Sequence, residues 1–390
     1  MTATRSRKYL FKNNFYQGDA MKVLYYVVLS LALILTLFSL ACSDKDSNPV
    51  KDKVTNGVID ADNANIQYVG RFDRTDPKKA VFDWSGVYIR AKFEGTSCSL
   101  RLVDGNNYYA VTIDNGNPQV LKTDTATVYS VATGLADTIH TILIEKRTEA
   151  FVGQGEFLGF ILDKGKDLLS PNPAPERRIE IIGNSMTCGY GVEGLSASEP
   201  FKNETENAAL SYAALVGKAL NADYQMVAYS GKGVVRNYGD ANKTSAEPMP
   251  SVYDRTCYNN ATRVWDFTKW IPQVVIINLG TNDFSTQPYP DKAVFQDAYT
   301  QLINRVQSNY AGVTIFCVCG PMIGSPCSTY IQEVVTQCQA NNTNKAVYYI
   351  GMSTSLLTGT DRGSDWHPNI SGQQKIANAI LPVIKDRMGW

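Results

Sequence analysis

Four short blocks carry residue types that together could perform acyl transfer. They are Gly183-Asn184-Ser185-Met186-Thr187, Ser230-Gly231-Lys232-Gly233, Gly280-Thr281-Asn282-Asp283 and Ser364-Asp365-Trp366-His367-Pro368. In chain order they supply a hydroxyl, a glycine, a carboxamide and an imidazole. A serine hydroxyl is a poor nucleophile near neutral pH and needs a neighbouring base to take its proton. An imidazole, with an ordinary pKa of about 6.5, suits that task. Attack on a carbonyl leaves a negative oxygen, which needs donors fixed in place beforehand. Three are on offer: the N–H of Ser185, the N–H of Gly231 with no Cβ beside it, and the side-chain amide of Asn282. Each such donor is worth about 3 kcal/mol of barrier. Singly, every block has a blander reading, because serines after strands cap helices and glycines make turns. Specificity comes from all four in order.

The chain has only two histidines, His140 and His367. His140 falls in an alternating run and reads as structural, which leaves His367 as the base. The same scarcity excludes a poly-His metal centre, and the residue set calls for no metal and no cofactor. Lys+Arg and Asp+Glu are both 37. That balance removes a whole-chain basic field for nucleic acid.

The elements that must position these groups fall into two regions. Residues 60–166 alternate with a period of two, as in Val87-Tyr88-Ile89-Arg90-Ala91-Lys92-Phe93-Glu94, and similar runs fill 98–103, 108–113, 126–132, 140–146 and 156–162. Turn clusters such as Asp104-Gly105-Asn106 separate them. Many short half-buried strands predict a β-sandwich of jelly-roll type. Residues 167–177 include Ser170-Pro171-Asn172-Pro173-Ala174-Pro175 and read as a linker. From 178 to 390 short apolar runs (179–182, 224–229, 274–279, 313–318, 346–350) alternate with helix-like stretches (208–220, 293–309, 328–340, 371–386). The last stretch opens on Ser371-Gly372-Gln373-Gln374, a capping-box pattern. Strand–helix alternation predicts an α/β domain with a parallel sheet of about five strands, covered on both faces. Ligands in such sheets bind outside the carboxyl ends of the strands. Three of the four blocks follow strands there, and the fourth precedes the final helix.

The N-terminus reads as an address. Lys22 precedes an uncharged stretch from Val23 to Ala41, and Cys42 then opens a polar segment. This order resembles a bacterial lipoprotein signal, with residues 1–42 as the signal and lipidation segment, Cys42 as the lipidated residue, and 43–59 as a flexible tether. The implied protein is exported and held on a membrane by its lipids. The competing reading of 23–41 is a transmembrane helix. Met21 is a second natural start. Beyond Cys42, seven of the eight cysteines remain. An oxidising compartment permits Cys327–Cys338 or Cys188–Cys257 pairs, whereas Cys317 and Cys319 read as buried thiols on one side of a strand.

The four blocks resemble those of SGNH (GDSL-like) hydrolases, whose domain is flavodoxin-like. More narrowly, Ile182 to Gly191, Tyr229 to Gly233, Gly280 to Phe284 and Asp365 to Asn369 resemble carbohydrate esterase family 2, in which a β-sandwich precedes the SGNH domain. The resemblance implies removal of acetyl groups from plant cell-wall polysaccharides or oligosaccharides such as xylan and glucomannan. It implies Ser185 as nucleophile, His367 as base, and an oxyanion hole built from Ser185, Gly231 and Asn282. The wider superfamily places Asp three residues before the histidine, where this chain has Ser364. Asp365, two before it, could orient the ring through its carboxylate, or a backbone carbonyl could do so. Trp366 and Phe284 are candidate sugar contacts, with Tyr190 and Trp265 as weaker ones. Two alternatives remain open: an SGNH lipase or thioesterase for longer acyl chains, and a glycan-binding surface lipoprotein without catalysis.

Overall fold

The computed structural model describes residues 56–340 and 346–390. The expected signal segment, Cys42 and nearly all of the tether lie outside the described residues. Among the described residues, no helix is long and apolar enough to cross a membrane.

Alternating polarity builds eleven strands between residues 58 and 169. They are β1 (Val58–Asp60), β2 (Gln67–Val69), β3 (Ala80–Phe82), β4 (Tyr88–Gly95), β5 (Cys98–Val103), β6 (Tyr108–Ile113), β7 (Gln119–Lys122), β8 (Val128–Ala132), β9 (Thr138–Lys146), β10 (Gly155–Leu162) and β11 (Leu168–Leu169). One antiparallel sheet runs β1-β10-β5-β8, with β3 on β10, and the other runs β11-β4-β9-β6-β7, with β2 on β4. From β4 to β10, excepting the β6–β7 hairpin, successive strands alternate between the sheets, in a jelly-roll-like sandwich. Val87, Ile89, Ala91 and Phe93 all point into the core between them. The sandwich overruns the expected boundaries at both ends. Val58 and Ile59 belong to β1 rather than to the tether, and β11 pairs with β4 inside the expected linker.

The second region forms a five-stranded parallel sheet from β12 (Arg177–Gly183), β13 (Ala222–Ala228), β16 (Val274–Ile277), β17 (Thr314–Cys319) and β18 (Val347–Gly351), in the order β13-β12-β16-β17-β18. A small hairpin, β14 (Arg255–Cys257) with β15 (Asn260–Val264), stands apart. The helices are α1 (Ser185–Cys188), α2 (Tyr212–Ala219), α3 (Met249–Val252), α4 (Lys292–Asn309), α5 (Cys327–Ala340) and α6 (Ile370–Met388). Strand order reverses beside β12, which opens the crevice at the carboxyl ends of β12 and β16. The cap of α6 is Asn369, whose Oδ1 accepts the Gly372 N–H at 3.1 Å. Ser371, expected in that role, instead donates to Asp361 at 2.8 Å.

The polar side of β4 is a docking face rather than a solvated one. Tyr88 is buried and donates to Asp223 at 2.9 Å, and Arg90 grips both oxygens of Asp223 at 2.9 Å. Nearby, Arg71 is fully buried beneath Tyr253, Trp265 and Phe267 and pairs with Glu180 at 3.3 Å. Tyr253 and Tyr310 donate to the same carboxylate at 2.6 and 2.9 Å. Charges this deep persist only when paired and hydrogen-bonded, so the sandwich and the α/β region are locked in register.

All seven described cysteines are free and buried. Cys327 and Cys338 sit eleven residues apart on α5, about 16 Å along its axis, far beyond the Cα separation a disulfide allows. Cys188 lies against Glu149 and Glu206, whereas Cys257 points at the Val81 carbonyl.

Candidate active site

β12 delivers Ser185 to the crevice. A Cβ on Gly183 would lie 1.9 Å from Thr187 Oγ1, so only glycine lets the chain turn tightly into α1. Asn184 caps that one-turn helix, accepting the Met186 N–H at 3.2 Å, and leaves Ser185 as its first residue. Gln373, fully buried on α6, donates to the Met186 carbonyl at 3.1 Å and accepts the Tyr212 N–H at 2.8 Å. The helix after the histidine thereby holds the helix that carries the serine.

His367 Nε2 lies 2.8 Å from Ser185 Oγ, and its Nδ1 lies 3.0 Å from the backbone carbonyl of Asp365. The carbonyl accepts only from a protonated Nδ1, which leaves Nε2 free to accept the serine hydroxyl. The Asp365 carboxylate faces away and accepts the Tyr190 hydroxyl at 2.8 Å and the Phe201 N–H at 3.1 Å. Asp365 therefore orients the ring through its main chain. That direction requires left-handed backbone at two successive non-glycine residues, Asp365 (φ 49°) and Trp366 (φ 64°). Their N–H groups are tied to the carbonyls of Glu199 and Ala197 at 2.9 and 3.0 Å. Tyr190 also stacks on Phe201 and packs 4.4 Å from the His367 ring.

The other donors converge from the ends of β13 and β16. Lys232 N–H reaches the Tyr229 carbonyl at 3.3 Å, closing a turn with Gly231 at φ 78°. A positive φ at the third position alone marks a type II turn, which favours glycine. Among the described residues the Gly231 N–H has no acceptor. Asn282 Nδ2 donates to the Lys232 carbonyl at 2.8 Å, leaving its second hydrogen free. Asp283, wholly buried, accepts the N–H groups of Val234, Val235 and Arg236 at 2.7–2.9 Å. Burial pushes its carboxyl up to about 6 against the pull of those donors. Asp283 lies in the third block, where residue type alone assigns it no role. Its adjacency to Asn282 was the one signal that it braces the glycine loop.

Among the aromatic candidates, Trp366 is 62% exposed beside His367. Phe284 is instead a core residue, packed against Phe295, Tyr289 and Tyr330, and so offers no face to a sugar. Trp265 covers Arg71, and Tyr190 serves as a brace. His140, with Asp114 at 2.5 Å on one nitrogen and the Ala136 carbonyl at 2.9 Å on the other, is tied within the sandwich.

The GDSL-like Lipase/Acylhydrolase family model matches residues 181–375, and the model described as Carbohydrate esterase 2 N-terminal matches residues 68–173. Over 329 residues the chain is 30% identical to an acetylxylan esterase / glucomannan deacetylase of Cellvibrio japonicus, covering 80% of this chain and 87% of that one. The chain belongs to carbohydrate esterase family 2. It is also 41% identical over 340 residues to cellulase/esterase CelE of Acetivibrio thermocellus, covering 85% of this chain. There it spans 40% of the relative's length. A solved family two carbohydrate esterase from Clostridium thermocellum, in complex with cellohexaose, is similar with a TM-score of 0.78 and 38% identity, over 83% of this chain and 99% of that one.

In this family 2 chain, burial pulls His367 down to about 4, partly opposed by the carbonyl and charge of Asp365. A lowered pKa keeps the imidazole neutral, and so able to accept a proton, to more acidic pH. The acid limb of kcat/KM is expected below the ordinary histidine value of about 6.5. A pH–rate profile whose acid limb falls at or above that value contradicts this. Because a carbonyl orients the ring, Asp365→Asn is expected to lose no more than about tenfold in kcat, where an orienting carboxylate would cost about 10⁴. Steady-state kinetics of the purified variant separate the two.

Proposed function

We propose that the protein is a serine esterase that removes O-acetyl groups from plant cell-wall polysaccharides or oligosaccharides such as xylan and glucomannan. The observation that carries this reading is the 2.8 Å approach of His367 Nε2 to Ser185 Oγ, with Nδ1 held by the Asp365 carbonyl. His367 takes the serine proton as Oγ attacks the acetyl carbonyl. The oxyanion that forms is met by the N–H groups of Ser185 and Gly231 and by Asn282 Nδ2. The sugar oxygen leaves with the proton returned by His367, and Ser185 holds the acetyl group. Water, deprotonated by the same imidazole, then releases acetate and restores the serine. The curated relatives named as acetylxylan esterases support the acyl group and the saccharide, and the solved relative in complex with cellohexaose supports the saccharide. The exposed Trp366 supplies a ring face at the crevice rim for the C–H faces of a sugar.

Ser185→Ala and His367→Ala are each expected to lower acetate release by about 10⁴-fold or more with the fold intact. Turnover near wild type in either refutes the assignment. Preference for 4-nitrophenyl octanoate over the acetate would favour the lipase reading, and failure of a fluorophosphonate to label Ser185 would favour a binding protein.

We further infer export and anchoring through lipid on Cys42, supported by the uncharged stretch before it and the polar segment after it. Intact protein is expected in the detergent phase of a Triton X-114 partition and the Cys42→Ala variant, once cleaved or unprocessed, without bound acyl label. Equal acyl labelling of both would sink the anchor.

A further inference from the structure

Glu149 leaves the sandwich just after β9 and enters the α/β region wholly buried. One carboxylate oxygen accepts the Ser230 N–H at 2.6 Å, and the other accepts the Ser230 hydroxyl. Its own N–H donates to Glu206 Oε2 at 3.1 Å. Glu206 is buried too, and its Oε1 has no donor among the described residues. Ligand atoms of Glu149, Glu206 and Cys188 lie within 4.8 Å of one another. Two buried carboxyls this close do not both ionise; one proton serves the pair. The donors decide where it resides. Glu149 receives an N–H and an O–H from Ser230 and stays a carboxylate. Glu206, with an oxygen that nothing donates to, carries the proton.

Ser230 is the second residue of the turn whose third residue is Gly231. Type I and type II turns differ by rotation of the peptide between those two residues, and that rotation reverses the direction of the third residue's N–H. Tyr238 N–H holds the Gly231 carbonyl at 2.7 Å from one side of the turn. Glu149 holds Ser230 from the other.

Resting on the esterase reading above, we propose that Glu149, a residue of the sandwich, is a positioning residue for the oxyanion hole: its hold on Ser230 selects the turn that aims the Gly231 N–H into the crevice. The sandwich is then part of the catalytic apparatus. A carboxylate at 149 matters because every group facing it is a donor. A neutral side chain at 206 suffices because one of its polar atoms accepts the Glu149 N–H while the other can donate.

The test uses the full chain with Glu149→Ala, Glu149→Gln and Glu206→Gln, read by hydrogen-exchange mass spectrometry of the 229–233 segment and by kcat and KM on 4-nitrophenyl acetate. Glu149→Ala is expected to exchange at least about tenfold faster in that segment and to lose about 100-fold in kcat with little change in KM, the size of one lost oxyanion donor. Glu149→Gln is expected to lose at least about tenfold more kcat than Glu206→Gln, because an amide at 149 turns hydrogens toward the Ser230 donors whereas an amide at 206 still donates. Unchanged exchange and kcat in both 149 variants overturns the proposal. So do equal losses at 149 and 206, or a lowered melting temperature with kcat per folded molecule intact. Loss of protection in the wild type on dialysis against EDTA also overturns it, by giving the cluster to a metal ion. Exchange needs no catalysis, so a wild type that releases no acetate would defeat the esterase reading while the 229–233 segment still reported on Glu149.

Discussion

A neutral imidazole can serve one partner well only if its other nitrogen is already committed, and here the commitment is to the carbonyl of Asp365. That one hydrogen bond sets the tautomer and the plane of the ring, and so the direction of Nε2 toward Ser185. It also explains local features that otherwise look costly. Two consecutive non-glycine residues in left-handed backbone cost about 1–3 kcal/mol each and persist only where surroundings over-determine them. The surroundings are the carbonyls of Ala197 and Glu199, the Tyr190 hydroxyl and the Phe201 N–H. The segment from Leu195 to Phe201 is thus a splint for the loop that carries His367.

The rest of the site follows the same logic of polar groups held by polar groups at the ends of strands. Asp283 gathers three successive N–H groups and shapes the loop after β13. Asn282 ties that loop to the end of β16. Gln373 ties α1 to α6 across the molecule. Each link joins segments far apart in the chain, so Ser185, His367, Gly231 and Asn282 are held in register by side chains of the fold itself.

The sandwich shares in this. Its contacts with the α/β region are unusually charged for a buried surface: Arg71 with Glu180, Arg90 with Asp223, and Arg147 with the carbonyls of Glu204 and Glu206. Buried pairs are weak as sources of stability, yet removing one partner is severe because the other is left uncompensated. Such an interface tolerates little sliding. That property suits a domain that must deliver Glu149 to Ser230.

Periodicity and punctuation determined much of this protein in advance. The strands at 98–103 and 108–113, the parallel sheet with Ser185, Gly231 and Asn282 at its carboxyl edge, and the long helices were legible, because burial of one face or two leaves a period in the residues themselves. Glycines marked turns for the same local reason. Tertiary structure alone decided the matters that depend on which surface meets which. Whether Asp365 uses its carboxylate or its carbonyl was set by Tyr190 and Phe201, more than 160 positions earlier in the chain. Whether the polar side of β4 met water or protein, whether Phe284 and Trp265 offered a ring or hid it, and that Glu149 would meet Ser230 across 81 positions were likewise settled by packing. A residue's type fixes what it can bond. Only the folded chain brings it a partner, because contacts between distant segments leave no period behind.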